Sequence, residues 1–335
     1  MTPLAAGQDI TWTPETAYRY CERLAQTHYE NVTVGSWLLP KAKRRHVHAF
    51  YGYCRTVDAL GDEATPPTAS ALAGMSVSVH EDGEESYRLG LLDWWQTELE
   101  ACYSGIPSHP VMVALQETIH TFEIPREPFL KLIEANRMDQ RNKRHSTYND
   151  LLYYCDHSAN PVGHLFLYLF GYADPERQRI SDATCTALQQ ANFWQDVVRD
   201  YQMGRIYLPL EDLAKFGYSE AELAQGVEND AFRQLLAFEI ERTMGLFREG
   251  ARLVNTLEGQ VKLDVALFTR GGVAVLEAIR RQNYNVLVNR PTLSRSRKAG
   301  MFFSTWLTWK LGLGLGLPGQ PLNQSSSQSP GEARP

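Results

Sequence analysis

Asp58 and Asp62 lie four residues apart, and so do Asn192, Asp196 and Asp200 in turn. On a helix this spacing puts side chains on one face. The sequence therefore predicts a two-carboxylate stripe and, about 140 residues later, a three-member oxygen stripe. Oxygen-only clusters suit hard cations, and magnesium in particular keeps several waters and is commonly shared with a substrate's phosphates. Two such stripes facing one another would hold a diphosphate through bridging cations. With 39 acids in 335 residues, roughly 4 to 5 acidic i,i+4 pairs arise by chance, and most are solvated faces. The setting distinguishes these two. Tyr51, Tyr53 and Val57 surround the first stripe, and Phe193, Trp194 and Val197 the second, with Arg55 and Arg199 alongside. Such surroundings imply faces turned inward, where unpaired carboxylates are costly without a cation.

The two runs carry a resemblance. Tyr51-Gly52-Tyr53-Cys54-Arg55-Thr56-Val57-Asp58-Ala59-Leu60-Gly61-Asp62-Glu63 resembles the Y-x-x-x-R-x-x-D-D-x-x-D-E motif of the squalene/phytoene synthase family, with Ala59 replacing the second Asp. Asn192 to Asp200, followed by Gly204-Arg205-Ile206-Tyr207-Leu208-Pro209, resembles the family's N-x-x-x-D-x-x-x-D and G-R-x-Y-x-P. The similarity spans roughly residues 18–300. His28-Tyr29-Glu30-Asn31 running to Ser36-Trp37-Leu38-Leu39-Pro40, and Ser158-Ala159-Asn160-Pro161-Val162-Gly163, resemble the bacterial hopanoid-pathway branch. So does Asn192-Phe193-Trp194-Gln195-Asp196, where condensing relatives usually carry Arg at the position of Gln195.

The resemblance implies an all-α, single-domain helical bundle around a central cavity. It also implies magnesium-dependent chemistry on a prenyl diphosphate, with manganese able to substitute. The branch points to presqualene diphosphate and water giving hydroxysqualene and diphosphate, without NADPH. It further implies functional pairing with a second family member and an oxidase acting on hydroxysqualene. One alternative is head-to-head condensation of two farnesyl or geranylgeranyl diphosphates to squalene, presqualene diphosphate or phytoene. Another is a non-catalytic lipid-binding or assembly protein on the same fold, which would be expected to have lost its acids.

Three tasks then need residues. Ionising the C–O bond falls to magnesium held by Asp58, Asp62, Asn192, Asp196 and Asp200. Gripping phosphate oxygens suits Arg55, one turn before Asp58, because its fork matches phosphate bidentately. By resemblance Asn31, Arg205, Tyr207, Tyr284 and Lys298 join it. Controlling a carbocation needs a dry aromatic cavity. Tyr154 matches a family tyrosine assigned to the rearrangement, Tyr51 lies one turn before Arg55, and Gln195 offers groups that could orient a water. Pro161 and Gly163 are expected to kink their helix and open room for a long chain. His145 stands where relatives often have Tyr, and the histidines form no metal constellation.

Composition bounds the rest. A net charge of −6 and a pI near 5.9 argue against nucleic acid as a partner. Basic residues cluster at 41–45 and 295–298, as solvated surface or as contacts for anionic lipid or diphosphate. Five cysteines without C-x-x-C spacing fit reduced thiols in a cytoplasmic protein. No secretory signal and no 18-residue apolar run is read. The apolar stretch 301–318 is broken by Lys310 and glycines, and reads as a frayed tail or a peripheral contact with the inner face of the membrane.

The elements that must position these residues follow from periodicity. Apolar residues recur at three-four spacing over 14–27, 41–63, 87–104, 108–123, 126–143, 147–171, 176–203, 228–257 and 261–288, and no alternating run predicts a strand. Residues 1–13 are expected to be a flexible start, 64–86 an exposed loop inserted in a helical domain of residues 14–300, and 301–335 an apolar, then disordered, tail.

Overall fold

Capping chemistry sets many helix ends. Thr147 and Asp150 form a reciprocal capping box, Asp174 caps a helix that opens on Pro175, and Asn229 accepts from the Phe232 backbone N–H. The computed structural model describes residues 12–28, 41–65 and 83–316. Its helices are α1 Pro14–His28, α2 Lys41–Asp62, α3 Gly83–Ser104, α4 Pro110–Phe122, α5 Glu127–Arg141, α6 Tyr148–Ser158 and α7 Asn160–Leu169. They continue as α8 Pro175–Gln195, α9 Val197–Gln202, α10 Leu210–Phe216, α11 Glu220–Ala224, α12 Asp230–Gly250, α13 Gly259–Arg281 and α14 Arg295–Lys310. A 3-10 turn, Ala251–Thr256, follows α12. Among the described residues there is no strand, only an isolated bridge between Arg144 and Ile206. The fold is the all-α bundle that the sequence implied.

Two apolar cores flank the bundle's centre. One gathers Tyr53, Trp95, Leu115 and Phe129 from α2 to α5. The other gathers Leu151, Trp194, Phe232 and Leu276 from α6, α8, α12 and α13. Helix α5 serves both, and the acid stripes face each other in the gap between them. Trp194 is fully buried and its indole N–H donates to Thr243 Oγ1 at 2.8 Å, which fixes the back of α8. Gly61, between the two acids of α2, lets α5 approach, since a Cβ there would lie 2.4 Å from Asn136 Oδ1.

Several expectations about elements are corrected. The 147–171 helix is two helices, because Pro161 opens α7 after a break at Ala159. Gly163 does not open room: a Cβ would lie 2.4 Å from Ser181 Oγ, so its role is close packing of α7 on α8. The 176–203 helix is interrupted at Asp196. The 261–288 helix stops at Arg281, where Asn283 and Tyr284 take φ of 52° and 61°. The helix α14 spans the boundary expected at residue 300, and the first part of the supposed tail is packed on α13. Residues 1–11, 66–82 and 317–335 lie outside the described residues, and with them most of the loop and tail expectations. All five cysteines are unbridged, and no helix among the described residues is long and apolar enough to cross a membrane.

Candidate functional site

Asp58 and Asp62 end α2, a helix whose last turn carries no basic residue. Carboxylates are disfavoured there, because the backbone carbonyls concentrate negative charge at a helix C-terminus. Across the gap, Asn192 lies on the last turn of α8 and Asp200 in the first turn of α9, with Asp196 between them. The interruption keeps the stripe in register: the Asp196 N–H donates to Asn192 O, and the Asp200 N–H to Asp196 O, each at 2.9 Å.

Both stripes line one cavity of about 290 Å³. Its walls also include Asn136 and Asp139 from α5, Tyr154 from α6, and Arg205 and Tyr207 from the loop after α9. An arginine from a distant segment holds one acid of each stripe. Arg205 donates both terminal nitrogens to Asp62, one of them at 3.3 Å, with its Nε 3.9 Å from Asp139. Arg290 grips both oxygens of Asp196 through Nε and Nη2, the latter at 2.9 Å.

The other acids meet less compensation. Packed protein pushes the Asp58 carboxyl up to about 6, the Asn136 amide offsets this, and the Asp62 charge adds to it. Asp58 nevertheless opens onto the cavity, where water moderates the rise. Burial and the neighbouring Asp196 charge push Asp200 up to about 7. Asp139 is buried and pushed up to about 6 by that burial, against the pull of Arg205 and of the Tyr154 hydroxyl.

Tyr154 donates its hydroxyl to Asp139 at 2.8 Å, and Tyr207 reaches the other carboxylate oxygen at 3.5 Å. Phe193 stacks on Tyr207 with centroids 3.8 Å apart, and Tyr154 closes the aromatic wall 5.6 Å from Tyr207. Behind this wall His145 stacks on Tyr207 at 5.7 Å, and burial lowers its pKa, which favours the neutral ring.

The cavity thus assembles Asp58, Asp62, Asn192, Asp196, Asp200, Arg205, Tyr207 and Tyr154. Other expected residues do not line it. Arg55 bonds Glu63 at 2.5 Å instead of pointing at the stripes. Tyr51 is half-buried near Arg55 and Asp58. Gln195, expected to orient a water, is buried and donates to the Pro291 carbonyl, because one residue's step around α8 turns it away from the cavity. Tyr284 packs against the C-terminal core, and Lys298 is exposed on α14. Asn31 lies outside the described residues. Asp139 and Arg290 were missed: Asp139 has Lys143 but no second acid at helical spacing, and Arg290 has no charged partner there.

The donor set is all oxygen and fits a hard cation. Among the described residues no three Asp, Glu, His or Cys side chains converge closely enough to hold a bare metal ion. A magnesium ion here would need further oxygens, of the kind that a diphosphate and water supply.

The sequence model of squalene/phytoene synthase matches residues 25–297. The chain is 32% identical over 307 residues to the 15-cis-phytoene synthase of Synechocystis, covering 88% of this chain and 85% of that protein. It superposes on the crystal structure of squalene synthase HpnC from Alicyclobacillus acidocaldarius with a TM-score of 0.73 and 42% identity, over 81% of this chain and 96% of that one. A dehydrosqualene synthase crystallised with a ligand shares the fold, at a TM-score of 0.75 and 24% identity, over 89% and 98% of the two chains.

Proposed function

The chain belongs to the squalene/phytoene synthase family, and we propose that within it the protein converts presqualene diphosphate and water to hydroxysqualene and diphosphate. The observation that carries this reading is Asp139, a buried carboxylate inside the diphosphate cavity with two tyrosine hydroxyls on it. Likeness to squalene synthase HpnC at 42% identity supports the same direction.

Asp58, Asp62, Asn192, Asp196 and Asp200 would hold magnesium. When bound, it offsets the negative charge that builds on the leaving diphosphate. Arg205 and Arg290, already at the two stripes, would turn from carboxylate to phosphate oxygens, a contact their forks suit equally. The C–O bond breaks with its electron pair leaving on the diphosphate. The resulting cation lies against Phe193, Tyr207 and Tyr154, whose faces stabilise it without reacting. A water then adds through an oxygen lone pair. Its proton passes to Tyr154 Oη as the tyrosine's own proton moves along the 2.8 Å bond to Asp139. The bond to water balances the lost C–O bond, so no reductant is consumed and NADPH has no part in this reading.

The runner-up is head-to-head condensation, favoured by 32% identity to a phytoene synthase. Product analysis separates the two. Purified protein with magnesium is given presqualene diphosphate, farnesyl diphosphate or geranylgeranyl diphosphate, with and without NADPH. Hydroxysqualene from presqualene diphosphate, independent of NADPH, is expected. Efficient formation of squalene or phytoene from the shorter diphosphates would replace this reading with the runner-up.

A further inference from the structure

The outer face of α14 has a pattern that the reaction does not use. The helix turns Thr305 inward, fully buried, and Arg270 clamps it by donating to Thr305 Oγ1 at 2.9 Å and to the Gly316 carbonyl at 3.1 Å. Opposite this clamp, Phe303, Leu307 and Leu311 are 60%, 41% and 63% exposed, and they follow one another at four-residue spacing. Leu313, 59% exposed, extends the stripe. Single exposed apolar residues are ordinary, but a contiguous stripe on a firmly packed helix marks a surface that something covers.

Charge identifies the cover. From Ala278 to Gly316 the chain carries Arg280, Arg281, Arg290, Arg295, Arg297, Lys298 and Lys310 and no acid, within a protein of net charge −6. Arg280, Arg281 and Arg297 pair with Glu241 or Glu277, and Arg290 with Asp196. Arg295 and Lys310 have no carboxylate partner among the described residues. They stand at the two ends of α14, Arg295 ahead of the apolar stripe and Lys310 within it. We infer that this face docks on an anionic lipid bilayer, the apolar stripe entering the headgroup boundary and the two cations meeting lipid phosphates. A second copy of the chain fits poorly, because pairing like faces would set these cations against each other.

The placement gives the contact a use. The segment leading into α14 is tied to the cavity rim through Arg290 on Asp196, and to the helix behind it through Pro291 on Gln195. A bilayer under α14 is therefore joined to the acid cavity through this segment. Only this last point rests on the proposed prenyl substrate, whose apolar chain partitions into lipid. The surface itself stands whichever substrate is turned over.

The test is vesicle co-sedimentation of the full chain. One set of vesicles is pure phosphatidylcholine and the other contains phosphatidylglycerol. Wild-type protein is expected to favour the anionic vesicles by about ten-fold or more, with binding weakened by salt. Phe303→Gln with Leu307→Gln should lower binding by about ten-fold while thermal unfolding stays unchanged. Arg295→Glu with Lys310→Glu should remove the preference for anionic vesicles. Equal binding to both vesicle types, binding unaffected by the double glutamine variant, or a dimer that dissociates in that variant would each overturn the inference.

Discussion

The two acid stripes share their spacing and differ in their surroundings. The first ends α2, so Asp58 and Asp62 add negative charge where the helix already presents carbonyls. The second straddles the α8–α9 interruption, where Asp196 is at once the residue that closes the long helix α8 and the one that precedes the short helix α9. Arg205 comes to the first stripe from the loop after α9, and Arg290 to the second from the segment before α14. Each stripe thus has one acid held by a guanidinium and one left to a less compensated burial. The comparison teaches that neither stripe is a self-sufficient metal site. Both are built to have their charge offset from outside, the first by Arg205 and the second by Arg290.

The largest effects should come from deleting charge in either stripe. Asp196→Ala and Asp58→Ala are each expected to lower kcat by about 100-fold or more, because both remove stabilisation specific to the ionising transition state. Glu63→Ala, whose side chain meets Arg55 outside the cavity, should stay within a few-fold. Steady-state kinetics on the substrate identified by product analysis would check this. A mild Asp58→Ala beside a severe Asp196→Ala would break the symmetry of function while leaving the asymmetry of setting.

Asp139→Asn comes next, with an expected loss of about 10- to 100-fold in kcat. The amide keeps the size of the side chain but cannot accept the Tyr154 proton. Its readout is the product as well as the rate. If Asp139 takes the proton of the added water, the variant should release less hydroxysqualene per diphosphate ionised. An unchanged ratio would place Asp139 in structure alone.

Smaller changes should follow from the arginines. Arg290→Gln and Arg205→Gln are each expected to raise KM by about ten-fold, through lost phosphate contacts. Arg205→Gln should also lower thermal stability more than Arg290→Gln. It abandons the stripe at a helix C-terminus, and leaves the buried Asp139 without its neighbouring cation. Differential scanning fluorimetry without magnesium would measure that difference.

The stripes were legible in the sequence because i,i+4 spacing is a local property, and the interruption at Asp196 preserves it. The all-α fold was legible for the same reason: helical periodicity needs no knowledge of neighbours. What escaped was contributed by tertiary approach. Arg290 reaches Asp196 across 94 residues, and Asp139 acquires Tyr154 through the packing of α6 on α5 and Tyr207 from the loop after α9. Gln195 misled because adjacency to Asp196 in sequence is a 100° step on a helix, enough to turn it from cavity to core. Gly163 misled because a glycine in a helix reads equally as flexibility or as close contact, and only the position of Ser181 decides between them.

The smallest expected effect tests the comparison through pH. Asp139 and Asp200 hold pKa values pushed up to about 6 and about 7 by burial, against an unfolded value near 3.9. Between those limits the folded chain keeps protons that the unfolded chain has lost. Their contribution to folding is therefore fully present below about pH 4, and it is lost as pH rises through about 7. Metal-free protein should accordingly lose about 2 °C in Tm between about pH 5 and pH 7.5, a modest shift for a chain of this size. On the proposed reading magnesium with inorganic diphosphate would bind the ionised acids, so it should remove the slope and raise Tm most at the upper end. Asp200→Asn should flatten the metal-free slope more than Asp58→Asn, because cavity water already moderates the rise at Asp58. Equal slopes in the two variants would mean that solvent reaches both stripes alike, and that they differ in geometry alone.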